Sequence, residues 1–311
     1  MKKVFFIFSI LILFSVNLFC SDYSFSIEPI FGVKKAKTTE AFYHPGNDSD
    51  KQCSRLEWRE ACVLNAGLSS ECKIIKPEYN YIFNTLFTVD IPYNKGKMTD
   101  KDWYADGSLT TSSEFDCKID LNFDFETSFG FEYKFNSVFS LIPTVKFQYE
   151  YNSFNGRNGH GWYYLTTDSP HYYPDGKYHL AGIDYKTYKT AFFTGLYAKT
   201  TLSSLLFLEL GLDISPFTFV LAKDRHLARN YVLKTYIYSC LKNYNVFAKA
   251  SYKLNKNLFL KLNVLFNYFN LTKGKDYYDW DGDDRDSLSA QDGGYGYWKI
   301  NSSLGLKVIL R

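Results

Sequence analysis

The sequence has almost no surplus of charge: 36 Lys and Arg stand against 33 Asp and Glu, a net +3 over 311 residues. Nucleic acid therefore finds no strong field to bind. Beyond residue 20 no apolar run approaches the ~18 residues that a membrane helix needs, and the mean hydropathy of −0.26 argues against a helical membrane bundle. The cysteines, at 20, 53, 62, 72, 117 and 240, form no C-x-x-C and no Cys/His pattern, so no zinc site is expected. The chain also lacks the aromatic-poor composition of a disordered protein. Aromatics are instead abundant, 19% of residues, with 27 Tyr and 28 Phe but only 5 Trp. What remains is a β-rich globular protein or a transmembrane β-barrel, whose membrane signal lies in alternation.

The first segment reads as an address. Lys2 and Lys3 form a charged start, and Val4–Phe14 is a nearly unbroken apolar stretch. Residues 1–20 are thus expected to be a secretory signal peptide. An N-terminal membrane anchor is the alternative, although the run is short and is broken by Ser15 and Asn17. Loss of Cys20 would leave an odd number of cysteines, at least one of them unpaired or bonded to another molecule.

Residues 21–311 alternate with period two and read as one domain with no linker and no repeat. Over 115–133, Phe115, Cys117, Ile119, Leu121, Phe123 and Phe125 share one parity, while Asp116, Lys118, Asp120, Asn122 and Asp124 share the other. Successive strand side chains point to opposite faces, so the expectation is one long strand with an apolar wall and a charged wall. Residues 139–152 and 298–310 repeat the pattern. Strands of a soluble sandwich usually run ~5–6 residues, and these are much longer. The apolar wall calls for lipid and the charged wall for a wet lumen, with Tyr, Phe and Trp near the strand ends as girdles.

Connections are expected to alternate in length. Short ones fall near 69–73, 134–137, 200–204 and 254–257. Long polar ones fall near 44–52, 93–113, 155–182, 223–229 and 274–294. Short turns at one end and long loops at the other describe an outer-membrane barrel of about ten strands, turns in the periplasm and loops outside. The fold class is therefore all-β, a ten-stranded antiparallel transmembrane β-barrel.

Two constellations at the loop end carry possible chemistry. In extended chain Asp100 and Asp102 share a face with Lys101 turned away, and two close carboxylates can share a proton or hold a water. Asp224 and His226 have the same spacing; a carboxylate beside a histidine fixes its tautomer and raises its basicity, which suits a general base. Spacing alone does not separate either pair from a solvated surface loop. Simple parity from Leu206, Leu208, Leu210 and Leu212 would also carry Asp224 and His226 to the lipid side, so a bulge is required, and Pro216 is its expected mark. The acid-rich run 276–292 superficially suggests calcium, but from Asp279 the sixth and twelfth positions are Asp284 and Ala290 rather than Gly and Glu. It is read as a solvated loop.

Taken in order, these pieces resemble the omptins, ten-stranded outer-membrane proteases of Gram-negative bacteria. The likeness rests on Lys37-Thr38-Thr39-Glu40-Ala41-Phe42-Tyr43, on Leu56-Glu57-Trp58, and on Asp100-Lys101-Asp102-Trp103 at the family's D-x-D-W. It continues through Gly156-Arg157-Asn158-Gly159, Tyr185 to Leu196, Asp224-Arg225-His226 at the D-x-H, and Gly305-Leu306-Lys307. The resemblance implies peptide-bond hydrolysis by a water held between the two pairs. His226 would activate the water and Asp224 would orient His226. Asp100 and Asp102 would help bind the water and stabilise the oxyanion. It implies no cofactor, no metal and no covalent intermediate.

Specificity for basic residues is also implied. Glu40 matches one acidic residue of the pocket that takes the basic side chain, whereas the second acidic position is Ala222 here. The family's lipopolysaccharide clamp is not matched, since Tyr149, Glu150 and Tyr151 lie in that region without the expected Arg. The expected partners are peptides or proteins carrying basic residues and outer-membrane lipid, with no nucleic acid, and the barrel is expected to be a monomer whose site faces the cell exterior. The alternative function is an adhesin of the same fold with weak or lost proteolysis. A plain porin is disfavoured, because open pores need ~16–18 strands.

Overall fold

The computed structural model describes residues 23–164, 170–172, 182–227, 231–280 and 287–310; the expected signal peptide lies outside the described residues. Fourteen strand segments form one antiparallel sheet. They are β1 Tyr23–Tyr43, β2 Gln52–Ile75, β3 Tyr79–Asp90, β4 Tyr93–Trp103, β5 Leu109–Ile119, β6 Phe123–Lys134, β7 Phe139–Tyr164, β8 Pro170–Tyr172, β9 Ile183–Thr201, β10 Leu206–His226, β11 Tyr231–Ser239, β12 Asn243–Lys253, β13 Leu258–Trp280 and β14 Ser287–Leu310. The pairs β3/β4, β5/β6 and β11/β12 are each one stave interrupted for two or three residues, and β8 only extends the edge of β7. The circuit is therefore the ten staves expected. It closes where β1 pairs with β2 on one side and β14 on the other, and closure removes the free sheet edges that would otherwise invite aggregation.

Toward the short-turn end the barrel is apolar outside. Phe31, Leu64, Val145, Leu196, Leu210 and Leu304 are each more than half exposed, a continuous apolar band that only lipid can cover at acceptable cost. Inside the same band the side chains are charged and paired. Lys34 bonds Glu60 at 2.8 Å and also Asp90, Lys299 bridges Asp124 (2.8 Å) and Glu150 (3.0 Å), and Lys189 holds Glu150 at 2.6 Å. Glu150 thus faces the lumen and takes no part in a lipid-facing patch.

Toward the other end the two faces exchange character. Lys35, Arg59, Asp116, Lys118 and Lys186 are exposed outward, while Leu56, Trp58, Phe115, Cys117, Phe154 and Tyr185 are buried inward as one apolar cluster. The reason is the solvent. Where lipid gives way to water the outer wall must be polar, and the inner wall can then supply a packed core.

This exchange corrects two expectations. Residues 115–133 are not one strand: the chain breaks at 120–122, so Phe115, Cys117 and Ile119 face the core and Asp116, Lys118 and Asp120 face water. Most of the long polar connections are not loops either. Residues 93–103 and 109–119 are a paired hairpin, β7 runs on to 164, β10 to 226 and β13 to 280. Their polarity is that of a barrel wall standing in water. The first short turn also lies later than expected, after β2 ends at Ile75. Aromatics accordingly serve both as lipid-facing wall and as an internal core.

Candidate functional site

The loop-end interior is built by strand parity, and three irregularities set it. On β10 the register shifts between Ile214 and Phe217, flanking Pro216. Below the shift Leu210 and Leu212 point outward; above it Val220, Ala222 and Asp224 are buried inward. On β13 a second shift lies between Phe269 and Thr272. Below it Leu262, Val264, Phe266 and Tyr268 point outward; above it Thr272 and Asp276, residues of the same parity, are buried. On the β1–β2 pair the shift between Lys34 and Ala36 is taken up by β2, where Cys62 adopts a left-handed φ of 59°. Bulges of this kind re-aim side chains at barrel rims.

Acidic groups from three staves come into one interior region. Glu40 comes from β1 and is 1% exposed; Asp224 from β10 is 1% exposed. Asp100 and Asp102 come from β4, half-buried, with Lys101 exposed between them. The register runs Glu40 to Leu56 to Asp100 across β1, β2 and β4, so the Asp100 pair lies level with Glu40, two strands away. His226, partly exposed, places Nε2 2.9 Å from Oδ2 of Asp224.

Burial pushes the carboxyl of Glu40 well above the usual range, and repulsion from Asp224, Asp276 and Asp100 pushes it further. The same list of influences shows that these carboxylates share one electrostatic neighbourhood. Among the described residues neither oxygen of Glu40 has a hydrogen-bond partner. Such a group either holds a proton or awaits a cation.

An aromatic stack lies beside the site. Tyr185 lies parallel to Trp58 (centroids 5.4 Å, 5° between planes), and Trp58 stacks on Phe154 at 5.6 Å. Tyr185 is opposite Asp224 in register. Its hydroxyl is held strongly neutral by burial and then by Glu40. Buried apolar rings beside the carboxylates lower the local dielectric, which strengthens the electrostatic interactions there.

Sequence reading missed two residues of this region. Asp276, assigned to a solvated loop, is fully buried and accepts a hydrogen bond from the Thr235 hydroxyl at 2.5 Å. Burial raises its carboxyl to about 7; the Thr235 bond opposes this, while Asp292 and Asp224 add to it. Cys53 is buried, with its thiol raised to about 11 by burial and by Asp102. A thiol that hard to ionise is a poor nucleophile at neutral pH. Of the acid-rich run, Asp279 pairs with Lys234 at 2.8 Å, and 281–286 lie outside the described residues. Among the described residues no group of three His, Cys, Asp or Glu side chains is arranged to hold a metal ion.

The comparisons with known proteins agree on family and fold. A family model described as Omptin family matches residues 21–310. No curated protein sequence matches. Among solved structures the barrel is similar to the outer membrane protease OmpT from Escherichia coli, with a TM-score of 0.80 and 17% identity, covering 92% of this chain and 97% of that one. At that identity the likeness is one of fold. The translocator domain of the autotransporter NalP from Neisseria meningitidis follows at a TM-score of 0.40 and 9% identity, covering 94% and 91%, too low to carry an argument.

Proposed function

The chain belongs to the omptin family, and from that premise we propose that it is an outer-membrane endopeptidase cutting next to basic residues, with its loop end facing the cell exterior and residues 1–20 removed as a secretory leader. The observation that carries this reading is the Asp224–His226 hydrogen bond of 2.9 Å, on a buried carboxylate that shares its surroundings with Glu40 and Asp100. A base oriented by a buried acid, in the neighbourhood of a second acidic pair, is an arrangement that can activate a water against a carbonyl.

In this reading Asp224 accepts the Nε2 proton of His226 and fixes the ring, leaving Nδ1 as the base. Nδ1 takes a proton from a water held toward Asp100 and Asp102, and the hydroxide adds to the scissile carbonyl. A protonated carboxyl of the Asp100–Asp102 pair donates to the oxyanion. Collapse of the tetrahedral intermediate passes the proton on His226 to the leaving amine, restoring the neutral ring. Glu40 receives the basic side chain beside the cut.

Cleavage of fluorogenic dibasic peptides by the refolded chain tests the proposal, with Asp100→Ala and His226→Ala as comparisons. Loss of several orders of magnitude in rate in both variants is expected. Equal turnover by wild type and both variants overturns it.

A further inference from the structure

The recognition pocket assigned above to Glu40 lacks its second acid, because the position that the resemblance assigns to it is Ala222, buried and uncharged. The barrel closes that gap from another strand. Ala222 pairs with Thr235 across β10 and β11, and Thr235 pairs with Asp276 across β11 and β13. All three are buried in one transverse row. Asp276 leans back along that row to bond the Thr235 hydroxyl, toward the small side chain of Ala222.

Two devices hold it there. The shift between Phe269 and Thr272 turns Asp276 inward, and a second shift between Lys275 and Tyr277 opens β14 opposite it. Gly293 completes the fit: a Cβ at that position would lie 2.1 Å from Oδ1 of Asp276 and 2.7 Å from the Thr235 methyl. A side chain at that position would have to push the Asp276 carboxylate aside.

The unsatisfied atoms indicate what the row is for. Both carboxylate oxygens of Glu40 and Oδ2 of Asp276 are buried and have no hydrogen-bond partner among the described residues. The strongest charged influences on Glu40 are the carboxylates Asp224, Asp276 and Asp100. Asp276 is faced by Asp292 and Asp224, and by Lys275, whose ammonium is committed to Asp292 at 2.5 Å on the exposed wall. Among the described residues these three buried acceptor oxygens, from two staves in one electrostatic neighbourhood, have no hydrogen-bond partner, and a buried acidic site in that state calls for a cationic ligand.

We propose that Asp276 is the second acidic residue of the specificity pocket, taking the place that Ala222 leaves uncharged, and that with Glu40 it binds the guanidinium of an arginine side chain. Guanidinium presents five donors in a planar fork and can satisfy all three oxygens at once, which a lysine ammonium on a single point does less well. Arginine is therefore preferred over lysine. The inference rests on the proteolytic reading only for the identity of the ligand as a substrate side chain; the pocket itself can be read by binding alone.

The test is calorimetric binding of argininamide to the full refolded chain in detergent at pH 8, for wild type, Asp276→Asn and the swap Asp276→Asn/Ala222→Asp. Asp276→Asn should weaken binding about tenfold to a hundredfold, the span expected for one charge-assisted hydrogen-bond partner, and the swap should recover much of it. Gly293→Ala, which displaces the carboxylate without removing it, should weaken binding in the same direction and keeps the question open to test if Asp276→Asn does not refold. Wild type that fails to bind argininamide, or Asp276→Asn and Gly293→Ala that bind it as tightly as wild type, would overturn the proposal. Cleavage of an arginine-containing peptide separates the two readings. Binding without cleavage refutes the protease and leaves the pocket; cleavage unaffected by Asp276→Asn refutes the pocket and leaves the protease.

Discussion

His226 reaches Asp224 with Nε2, at 2.9 Å from Oδ2, and in the proposed mechanism Nδ1 is the ring nitrogen that takes a proton from water. Asp224→Asn keeps the size of the side chain but reverses the hydrogen-bond preference and presents the wrong tautomer. It should lower kcat about 10²- to 10⁴-fold, the usual worth of a positioned general base, with little change in KM. His226→Ala should cost as much, and the double variant scarcely more, because the pair acts as a unit. Steady-state kinetics on one fluorogenic peptide across the three variants checks this; a strictly additive double variant contradicts it.

The inward position of that pair was legible in the sequence and its neighbour was not, for one physical reason. Parity on β10 demanded a bulge, and Pro216, unable to donate to a ladder, marked where it would fall. On β13 the equivalent switch at Asn270 and Leu271 contains neither proline nor glycine, and the acid-rich composition of 276–292 reads as a solvated loop, so nothing in the sequence marks Asp276 as buried. The same blindness joined Phe115 to Phe131 as one wall. Alternation reports that a strand has two different faces; it does not report which solvent lies behind each, and above the lipid band that assignment reverses. The number of staves, by contrast, depended only on counting alternating stretches between turns, and it survived even where polar strands were taken for loops.

The height of the lipid band can be measured. Val145 lies within it, more than half exposed to the outside, whereas Lys186 faces outward above it. Val145→Arg should cost roughly 2–4 kcal/mol of folding free energy in a bilayer, as a charge near the midplane does. Lys186→Val should stay within about 0.5 kcal/mol. Urea titrations of folding into phospholipid vesicles measure both; equal costs would mean that the band has been misplaced.

The lumen network makes a separate claim. Glu150 is bonded to both Lys189 and Lys299, all three buried. Glu150→Leu strips a partner from two buried cations and should destabilise the barrel by roughly 3–5 kcal/mol. Adding Lys189→Met removes one stranded charge and should recover part of that loss, since Lys299 still holds Asp124 at 2.8 Å. Non-additivity in the same vesicle titration is the expected result; a double variant no better than the single one would mean that the ion pairs do not act on one another.

Asp276 gives stability a pH dependence of unusual sign. Its carboxyl is raised from the ordinary 3.8 to about 7 in the folded chain, chiefly by burial. Between those values the folded state keeps a proton that the unfolded state has already released, so raising the pH favours unfolding. The contribution is fully present below about pH 4, is lost progressively as the pH rises toward 7, and is flat above. Glu40, also pushed upward by burial and its neighbours, acts in the same direction. Glu57 acts outside this window: burial is outweighed by hydrogen bonds from Arg59 and Lys37, which bring it to about 2, so its stabilisation is lost only as the pH falls below the ordinary carboxylate range. Wild type refolded in detergent should therefore melt several degrees lower at pH 8 than at pH 5, while Asp276→Asn narrows that gap and Glu40→Gln/Asp276→Asn narrows it further. The loss of heat-resistant gel mobility measures the melting point. A gap unchanged in Asp276→Asn would show that this carboxyl is already ionised at pH 5 in the folded barrel, and argininamide binding would then be free of the steep rise with pH that proton release from Asp276 otherwise imposes.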